Sequence, residues 1–467
     1  MTALLVANMK TEEIVGDLAG MPADERKFAG CGAQRLLWFA RDGAVIIMPR
    51  MPDDAVLDYV TTLTGTRRST LRVVVPESGR FGPDILSRDR LLSRSCMDGV
   101  GTALDGRTAD AIVAMCGDGT VAALARELGI TSALPGYGLA AAGGVALVNA
   151  KSMFRAVAGG VGAPMPPGWS GGDQAGACHF ISEELAAGHC VIVKQDLQSG
   201  GKGNVVLSAV PDVRVAGTKL PAVVLPGAVD VAAYLDRRWD WLTSKGRHSI
   251  VIERYFADAV PLFAEFFIDD AGIRLTGHGE MLMTPTYAGV IAPMARLDPA
   301  IKEDFIETAK RVCVPFRAMG YRGTASVDAL LTGGNRFWLS EINCRMGGSS
   351  HLHSVIGARV VGPSHRAGRL IAERDGWRVP SFREAVHRLE SAGLAYDPET
   401  RLGVILTCDV TPANGTVKCC VVAEDMDAIK KYETLLRSVF SRYDTAPECG
   451  GTAPPSAQQS VAKQSRV

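Results

Sequence analysis

The stretch FWLSEINCRMGGSSH, residues 337–351, runs an apolar strand pattern into three alternating polar residues, Glu341, Asn343 and Arg345. In an extended chain that alternation puts all three side chains on one face. Before it, YRGTASVDALL (321–331) supplies Asp328 on what reads as a partner strand, joined through a turn at Gly333-Gly334. Two carboxylates and an amide oxygen converging there are hard oxygen ligands, suited to Mg²⁺ or Mn²⁺ beside nucleotide phosphates. Arg322 and Arg345 would then stabilise charge on a transferring phosphoryl group. Arg322 and the backbone N–H groups around Gly347, Gly348 and Ser349 are candidate donors to an oxyanion. The plain alternative is a hairpin with a surface ion-pair network, which a Glu-x-Asn-x-Arg on an apolar strand fits badly.

Two earlier segments extend this reading. In CVIVKQDLQSGGKGN (190–204) an apolar strand delivers Lys194, and Ser199, Gly200, Gly201, Lys202 and Gly203 lead through Asn204 into a second strand, Val205–Ser208. Glycines let a backbone approach phosphate oxygens closely and bond them through N–H groups. Lys194 would act on those phosphates as a point charge. No GK[ST] opens a helix, so this is not a Walker A loop; a hairpin with a glycine turn is the alternative. In HSIVIERYF (248–256) a strand runs into Glu253, Tyr255 and Phe256. Backbone groups there can read a purine edge between apolar side chains; the alternative is an edge strand.

The rest of the chain sets the frame. Its 467 residues, 47% hydrophobic and 21% charged, suffice for about three domains with buried cores. Fifty Lys+Arg balance fifty Asp+Glu, which argues against bulk nucleic-acid binding. Only 13 of those cations are lysines, so a lysine at a motif position carries weight. Eleven cysteines without CxxC spacing read as buried reduced thiols. The start MTALLVANMK lacks a basic signal-peptide region, and the apolar run Leu139 to Val148 is too short to span a bilayer. A cytoplasmic protein with no membrane or nucleic-acid partner is expected.

Apolar runs at Ala3–Ala7, Ala44–Met48, Leu71–Val75 and Ala111–Met115 alternate with helical patterns at Thr11–Leu18, Asp53–Leu63 and Thr120–Leu128. That order predicts a Rossmann-like parallel sheet over 1–148. Thr11 is the expected cap of the first helix. Gly117-Asp118-Gly119-Thr120 reads as a strand-to-helix turn capped by Thr120 rather than a phosphate site, and Asn8 as a turn residue or a ligand-facing group. A helix over Asn149–Ala158 opens a second unit, 149–378. Strands at Val404–Asp409 and Val417–Ala423 with a helix at Asp425–Phe440 make a small α+β unit, 379–445, and the composition of 446–467 predicts a disordered tail.

On these residues the segment from about 149 to 375 resembles an ATP-grasp domain, whose two α+β lobes hold ATP and use it to activate a carboxylate. The resemblance implies a pre-ATP-grasp N-terminal domain, Lys151 and Lys194 on the α- and β-phosphates, and 199–204 as the flexible loop above them. It implies an adenine hinge at Glu253–Phe256 with backbone contacts near Tyr255 and Phe256. Glu265 is the matching ribose carboxylate, with Asp258 in competition. Asp328, Glu341 and Asn343 match the metal ligands, and Arg322 resembles the arginine that holds an acyl phosphate. The opening LLVANMKTEEIVGDL (4–18), taken with the C-terminal unit, is similar to the pheganomycin-type peptide ligases of natural-product biosynthesis. That likeness implies an amino-acid-like carboxylate donor joined to the amino terminus of an acceptor peptide or amine, with ADP and phosphate released. It also implies a homodimer, common among such folds. The amine is expected near Gly277-His278-Gly279-Glu280 and Thr284–Tyr287, with Glu280 as counter-charge, and His351 and His353 as bases or as site lining. A small-amine ligase, a carboxylase, a phosphoryl transferase and a non-catalytic ATP-binding module are the competing readings.

Overall fold

A computed structural model describes residues 2–295, 297–366 and 368–442, built on three sheets. The tail expected at 446–467 lies outside the described residues. The first sheet is parallel, with β1 (Ala3–Val6), β2 (Val45–Ile47), β3 (Arg72–Val74) and β4 (Ala111–Ala114) in the order β3-β2-β1-β4. Leu4, Leu5, Val6 and Val45–Ile47 are buried on both faces, as short continuous apolar runs in a covered parallel sheet require. The helix Asp54–Thr64 starts where the Asp53 carboxylate accepts the Ala55 N–H and stops at Gly65, which takes the left-handed conformation at φ 65°.

Three local expectations change here. Asp118, not Thr120, caps the helix Gly119–Glu127, accepting N–H bonds from Thr120 and Val121. The Gly119 N–H goes to Glu13 Oε1, so a protein carboxylate already uses this helix terminus. The first helix spans only Glu12–Val15, and Thr11 precedes it without a side-chain capping bond. Asn8 is buried: its Nδ2 donates to the Cys116 carbonyl at 2.7 Å and its Oδ1 accepts the Cys116 N–H at 3.1 Å, tying the end of β1 to the end of β4.

The second sheet holds β5 (Gly168–Gly171), β6 (Val191–Gln195), β7 (Asn204–Ser208), β8 (Val223–Val224) and β9 (Ile250–Arg254), ordered β5-β9-β6-β7-β8. The third holds β10 (Val260–Ile268), β11 (Ile273–Met283), β12 (Tyr287–Ala292), β13 (Gly323–Thr332), β14 (Arg336–Asn343), β15 (Leu370–Arg378), β16 (Gly403–Val410), β17 (Thr416–Ala423) and β18 (Ser441–Arg442). Its order is β14-β13-β10-β11-β12-β15-β17-β16, with β18 beside β15. The C-terminal strands therefore continue this sheet rather than form one of their own. They also meet the N-terminal residues, where Trp38 Nε1 donates to the Thr407 carbonyl at 3.0 Å.

Two faces of β10, β13 and β14 do different work. Leu262, Ala264, Val327, Ala329 and Leu339 pack with Phe305, Val312 and Phe316 of the helix Pro299–Ala318. Each large apolar side chain buried this way stabilises the fold by about 1.5–3 kcal/mol. The pairings Phe263↔Asp328, Asp328↔Glu341 and Ser326↔Asn343 put the polar residues on the opposite face.

Candidate functional site

That polar face carries the residues singled out at 328–345. The pairing slips after Asp328, so that Asp328 faces Glu341 and Ala329 faces Leu339, leaving Ser340 as the extra residue of a bulge. Asn343 Nδ2 donates to Asp328 Oδ2 at 3.1 Å and to Glu341 Oε1 at 3.3 Å, and Ser326 Oγ donates to Asp328 Oδ1 at 3.1 Å. Arg345, past the strand end, donates to the amide oxygens of Asn343 and Asn149. Asn149 Oδ1 also accepts the Cys344 N–H at 3.1 Å, which fixes the chain as it leaves the strand. Burial, and then the Glu341 charge, push the Asp328 carboxyl well above the usual carboxylate range. Burial also raises Glu341, but Lys151, Lys194 and Arg345 outweigh it and hold that carboxyl low. The Asn343 amide nitrogen bonds both carboxylates, the place from which one cation could serve them. The two carboxylates are hard oxygen donors that fit a divalent ion, whereas the Asn343 amide turns its nitrogen to them and its oxygen to Arg345, and joins the donor set only with its amide turned over. No group of three or more His, Cys, Asp or Glu side chains with metal-site geometry occurs among the described residues.

The lysines approach from the second sheet and the connecting helix. Lys151 opens the helix Lys151–Gly160, whose first turn is held by Asp196, with Oδ1 accepting the Ser152 N–H at 2.7 Å. Its Nζ donates to the Gln198 carbonyl at 3.0 Å and lies 3.7 Å from Glu341. Burial first, and then Lys194 and Arg345, pull the Lys151 ammonium down against the opposing pull of Glu341. Lys194 Nζ donates to Glu253 Oε2 at 2.6 Å and to Ser340 Oγ at 3.0 Å. Arg155 donates to the other Glu253 oxygen at 3.1 Å. Glu253 is thus a buried counter-ion for two cations.

The glycine loop follows Lys194. Gly200 and Gly201 take φ of 69° and 73°, and a Cβ on Gly201 would stand 2.2 Å from the Gly217 carbonyl oxygen, so glycine is required there. Ser199 accepts from Lys10, and Lys202 lies 2.6 Å from Glu25, so both ends of the loop reach N-terminal residues. At the junction of the second and third sheets the Tyr255 N–H donates to the Cys190 carbonyl at 2.8 Å. Tyr255 Oη accepts the Ala216 N–H at 2.7 Å. Phe256 stacks on Trp338 of β14 with ring centroids 5.9 Å apart.

Several expected residues lie elsewhere. Arg322 sits before β13, four residues short of Ser326, and donates to Asp270 at 2.7 Å and to the carbonyls of Arg317 and Tyr321. Those bonds hold it at the far end of the strand from Asp328. Glu265 is 1% exposed and its carboxylate serves Ser350, Thr276 and His353, whose Nε2 is 2.6 Å away, so it faces protein rather than a ribose. Asp258 is exposed, 3.7 Å from Arg214. Glu280 pairs with Leu262 and His278 with Ala264, which puts both on the face against the helix Pro299–Ala318, away from the metal-ligand candidates. Burial there lowers His278 to about 4. Gly277 and Gly279 do share the polar face; a Cβ on Gly277 would meet His353 Cγ at 2.3 Å. His351 and His353 are each 1% exposed, in the helix turn after the glycine pair. The Gly347 N–H is taken by Ser350 Oγ at 2.8 Å, with Gly348 and Ser349 next in the same turn.

Four residues escaped the sequence reading: Lys10, Arg35, Asn149 and Arg155. Lys10 had a signal, a rare lysine just past an apolar run; Arg35 had none, because its role depends on Gly348, whose carbonyl it bonds at 2.8 Å. A cavity of about 620 Å³ lined by Arg50, Asp53 and Asp409 includes none of these residues.

A family model described as the pre-ATP-grasp domain matches residues 33–130, and one described as the PGM1 C-terminal domain matches 384–436. No curated protein matches by sequence. Among solved structures, the biotin carboxylase domain of 2-oxoglutarate carboxylase from Hydrogenobacter thermophilus, in complex with MgADP, ADP and bicarbonate, is similar. It has a TM-score of 0.56 at 13% identity, over 94% of this chain and 90% of that one. N5-carboxyaminoimidazole ribonucleotide synthetase from Thermus thermophilus gives 0.54 at 14%, over 95% and 99%. The L-amino acid ligase of Bacillus licheniformis gives 0.50 at 11%, over 94% and 97%. The fold is thus an N-terminal parallel α/β sheet followed by an ATP-grasp arrangement and a small C-terminal α+β element. No helix among the described residues is long and apolar enough to cross a membrane.

Proposed function

We propose that the chain is an ATP-dependent carboxylate–amine ligase that joins an amino-acid-like acid to the amino terminus of a peptide. The observation that carries this reading is the meeting of Asp328, Glu341 and Asn343 with Lys151 and Lys194 beneath a glycine loop. The similar enzymes crystallised with ADP or MgADP and the L-amino acid ligase support it through the shared fold. The peptide acceptor rests on the pheganomycin-type likeness of the opening segment.

Asp328, Glu341 and Asn343 would hold Mg²⁺, which when bound offsets phosphate charge. Lys151 and Lys194 position the α- and β-phosphates, and Phe256 with Trp338 offers an aromatic wall to the purine. A substrate carboxylate oxygen attacks the γ-phosphorus in line, the bond to the ADP oxygen breaks, and an acylphosphate forms. Most of the catalysis is positioning and charge neutralisation. The amine then attacks the acyl carbon, phosphate leaves with its bonding pair, and the proton that the amine gives up goes to the departing phosphate. The glycine loop, tied to Lys10 and Glu25, excludes water that would hydrolyse the acylphosphate.

The test is ADP release from MgATP against acids with and without short peptides, with mass spectrometry of each mixture. ADP that depends on both substrates, with a product of their summed mass less water, is the expected result. A phosphorylated single substrate sinks the amide step and leaves a phosphoryl transferase.

A further inference from the structure

We propose that Lys10 and Arg35 form the site for the carboxylate of the donor acid and for the phosphoryl group it receives. This rests on the ligase reading and names its acid subsite, which the motif residues leave unassigned.

Arg35, in the short helix Ala33–Phe39, is only 6% exposed. Its Nη1 donates to the Gly348 carbonyl at 2.8 Å, its Nε to the Gly32 carbonyl at 3.1 Å, and its Nη2 faces Met9 Sδ at 3.6 Å. Among the described residues no carboxylate lies within salt-bridge distance of it. Arg345 is held in the same way by amide oxygens alone. Lys10 follows β1 and donates to Ser199. The cations that act most on Lys10 are Arg345, Lys202 and Arg35, and Glu25, the carboxylate that acts against them, is already 2.6 Å from Lys202. Lys10, Arg35, Lys202 and Arg345 therefore form a partly buried cationic cluster, offset by Glu25 beside Lys202, by the Glu341 charge near Arg345 and by the Asp375 charge near Arg35. Like charges out of water are costly unless an anion joins them. Burial first, and then those three cations, lower Lys10 to about 7, and a bound anion would reverse that pull.

The cluster's place selects the anion. Lys10 bonds Ser199 of the glycine loop, Arg35 bonds Gly348 of the turn after the metal-ligand candidates, and Arg345, whose charge acts on Lys10, itself bonds Asn343. Lys151 and Lys194 lie instead against Glu341 and Ser340. The geometry divides the cations into a pair for the nucleotide and a cluster for the acid. A donor carboxylate at Lys10 and Arg35 gains the phosphoryl group as the bond to ADP breaks. The same cations then meet the phosphate that the amine expels, so one subsite holds an anion throughout.

Orthophosphate is the probe, titrated calorimetrically into the full chain with and without MgADP. Lys10→Met and Arg35→Gln should each weaken it about tenfold or more, the value of one charge-assisted hydrogen bond. MgADP affinity should stay within about twofold of wild type, and Lys219→Met, an exposed lysine, should change neither. Equal orthophosphate affinity in wild type and Lys10→Met overturns the proposal. Weakened MgAMPPNP binding with intact MgADP binding also overturns it, because the cluster then belongs to the γ-phosphate of ATP. If buried Arg35→Gln does not fold, Lys10→Met decides alone. If wild type fails to bind MgADP, the ligase reading falls, and the titration without nucleotide still decides the anion site.

Discussion

Glu253 separates two accounts of the nucleotide cleft. The sequence placed it at the start of an adenine hinge; the structure gives its two oxygens to Lys194 and Arg155, at 2.6 and 3.1 Å. The carboxylate is 2% exposed, and the side chains of Lys194 and Arg155 are 7% and 14% exposed. Glu253→Gln keeps the shape and removes the charge, leaving two enclosed cations with a neutral partner. Breaking a buried pair costs about 3–5 kcal/mol, and the retained amide oxygen argues for the lower end. With a urea slope of about 3 kcal/mol per M, the midpoint should fall by about 1 M. Tryptophan fluorescence in urea measures it. Adding Arg155→Met should recover part of the loss, because one orphaned cation is gone. The preference for ATP over GTP should stay as it is. A normal urea midpoint together with altered base preference would refute the ion-pair account and restore the hinge contact.

Arg322→Ala should lose its bonds to Asp270 and to the carbonyls of Arg317 and Tyr321 and leave the chemistry alone: ADP release within about threefold of wild type, the pair with exposed Asp270 being worth at most about 1 kcal/mol; a loss of activity of about a thousandfold at unchanged stability would return Arg322 to the chemistry. Glu341→Gln should abolish ADP release in the coupled assay and lower the thermal midpoint, because Lys151, Lys194 and Arg345 lose the charge that they hold ionised. Gly277→Ala should destabilise by about 1–3 kcal/mol in urea, since its Cβ would meet His353 Cγ at 2.3 Å. Asp118 gives a pH dependence. Burial first, and then Glu13, raise its carboxyl to about 7 against its capping bonds. The folded value lies above the unfolded value of about 3.9, so the native state binds the proton more tightly. The contribution is full below about pH 4 and is lost as pH rises to about 7, at up to about 1.4 kcal/mol per unit. Asp118→Asn, still a capping residue, should flatten urea midpoints across that window.

The first sheet was legible because its strands are short, continuous apolar runs bounded by turns. The runs read at Ala44–Met48 and Leu71–Val75 contain β2 and β3 to within a residue or two. The helices Asp54–Thr64 and Met426–Val439 were equally visible, since their apolar spacing and aspartate caps are local. What failed was parity and distance. Glu280 lies one residue from Gly279 yet on the other face, and only its pairing with Leu262 reveals it. Arg322 reads as near Asp328 in sequence, but four residues of extended chain carry it about 13 Å beyond Ser326. Ser326, unremarked in the sequence, bonds Asp328 beside Asn343. Arg35 meets Gly348 across more than three hundred positions, and no pattern within a window could announce it.

Those long-range contacts also explain why the cluster of charge is tolerable. The strands that carry Asp328, Glu341 and Asn343 bury Val327, Ala329, Leu339 and Ile342 on their other face. Turning the polar face over would mean slipping a whole strand by one residue and exposing that apolar set. Register is therefore held by the hydrophobic face, and the carboxylates are carried along with it despite their desolvation. The N-terminal cations are placed by different means, through Asn8 and Cys116 for the chain before Lys10 and through Trp38 and Thr407 for the helix bearing Arg35. Three independent scaffolds thus place the charged groups, and each can be loosened separately. If Lys10 holds the acid, its bond to Ser199 makes acid binding and the docked glycine loop mutually favourable. The loop would then cover the phosphates best when a carboxylate is present to receive one, which suppresses wasteful transfer to water.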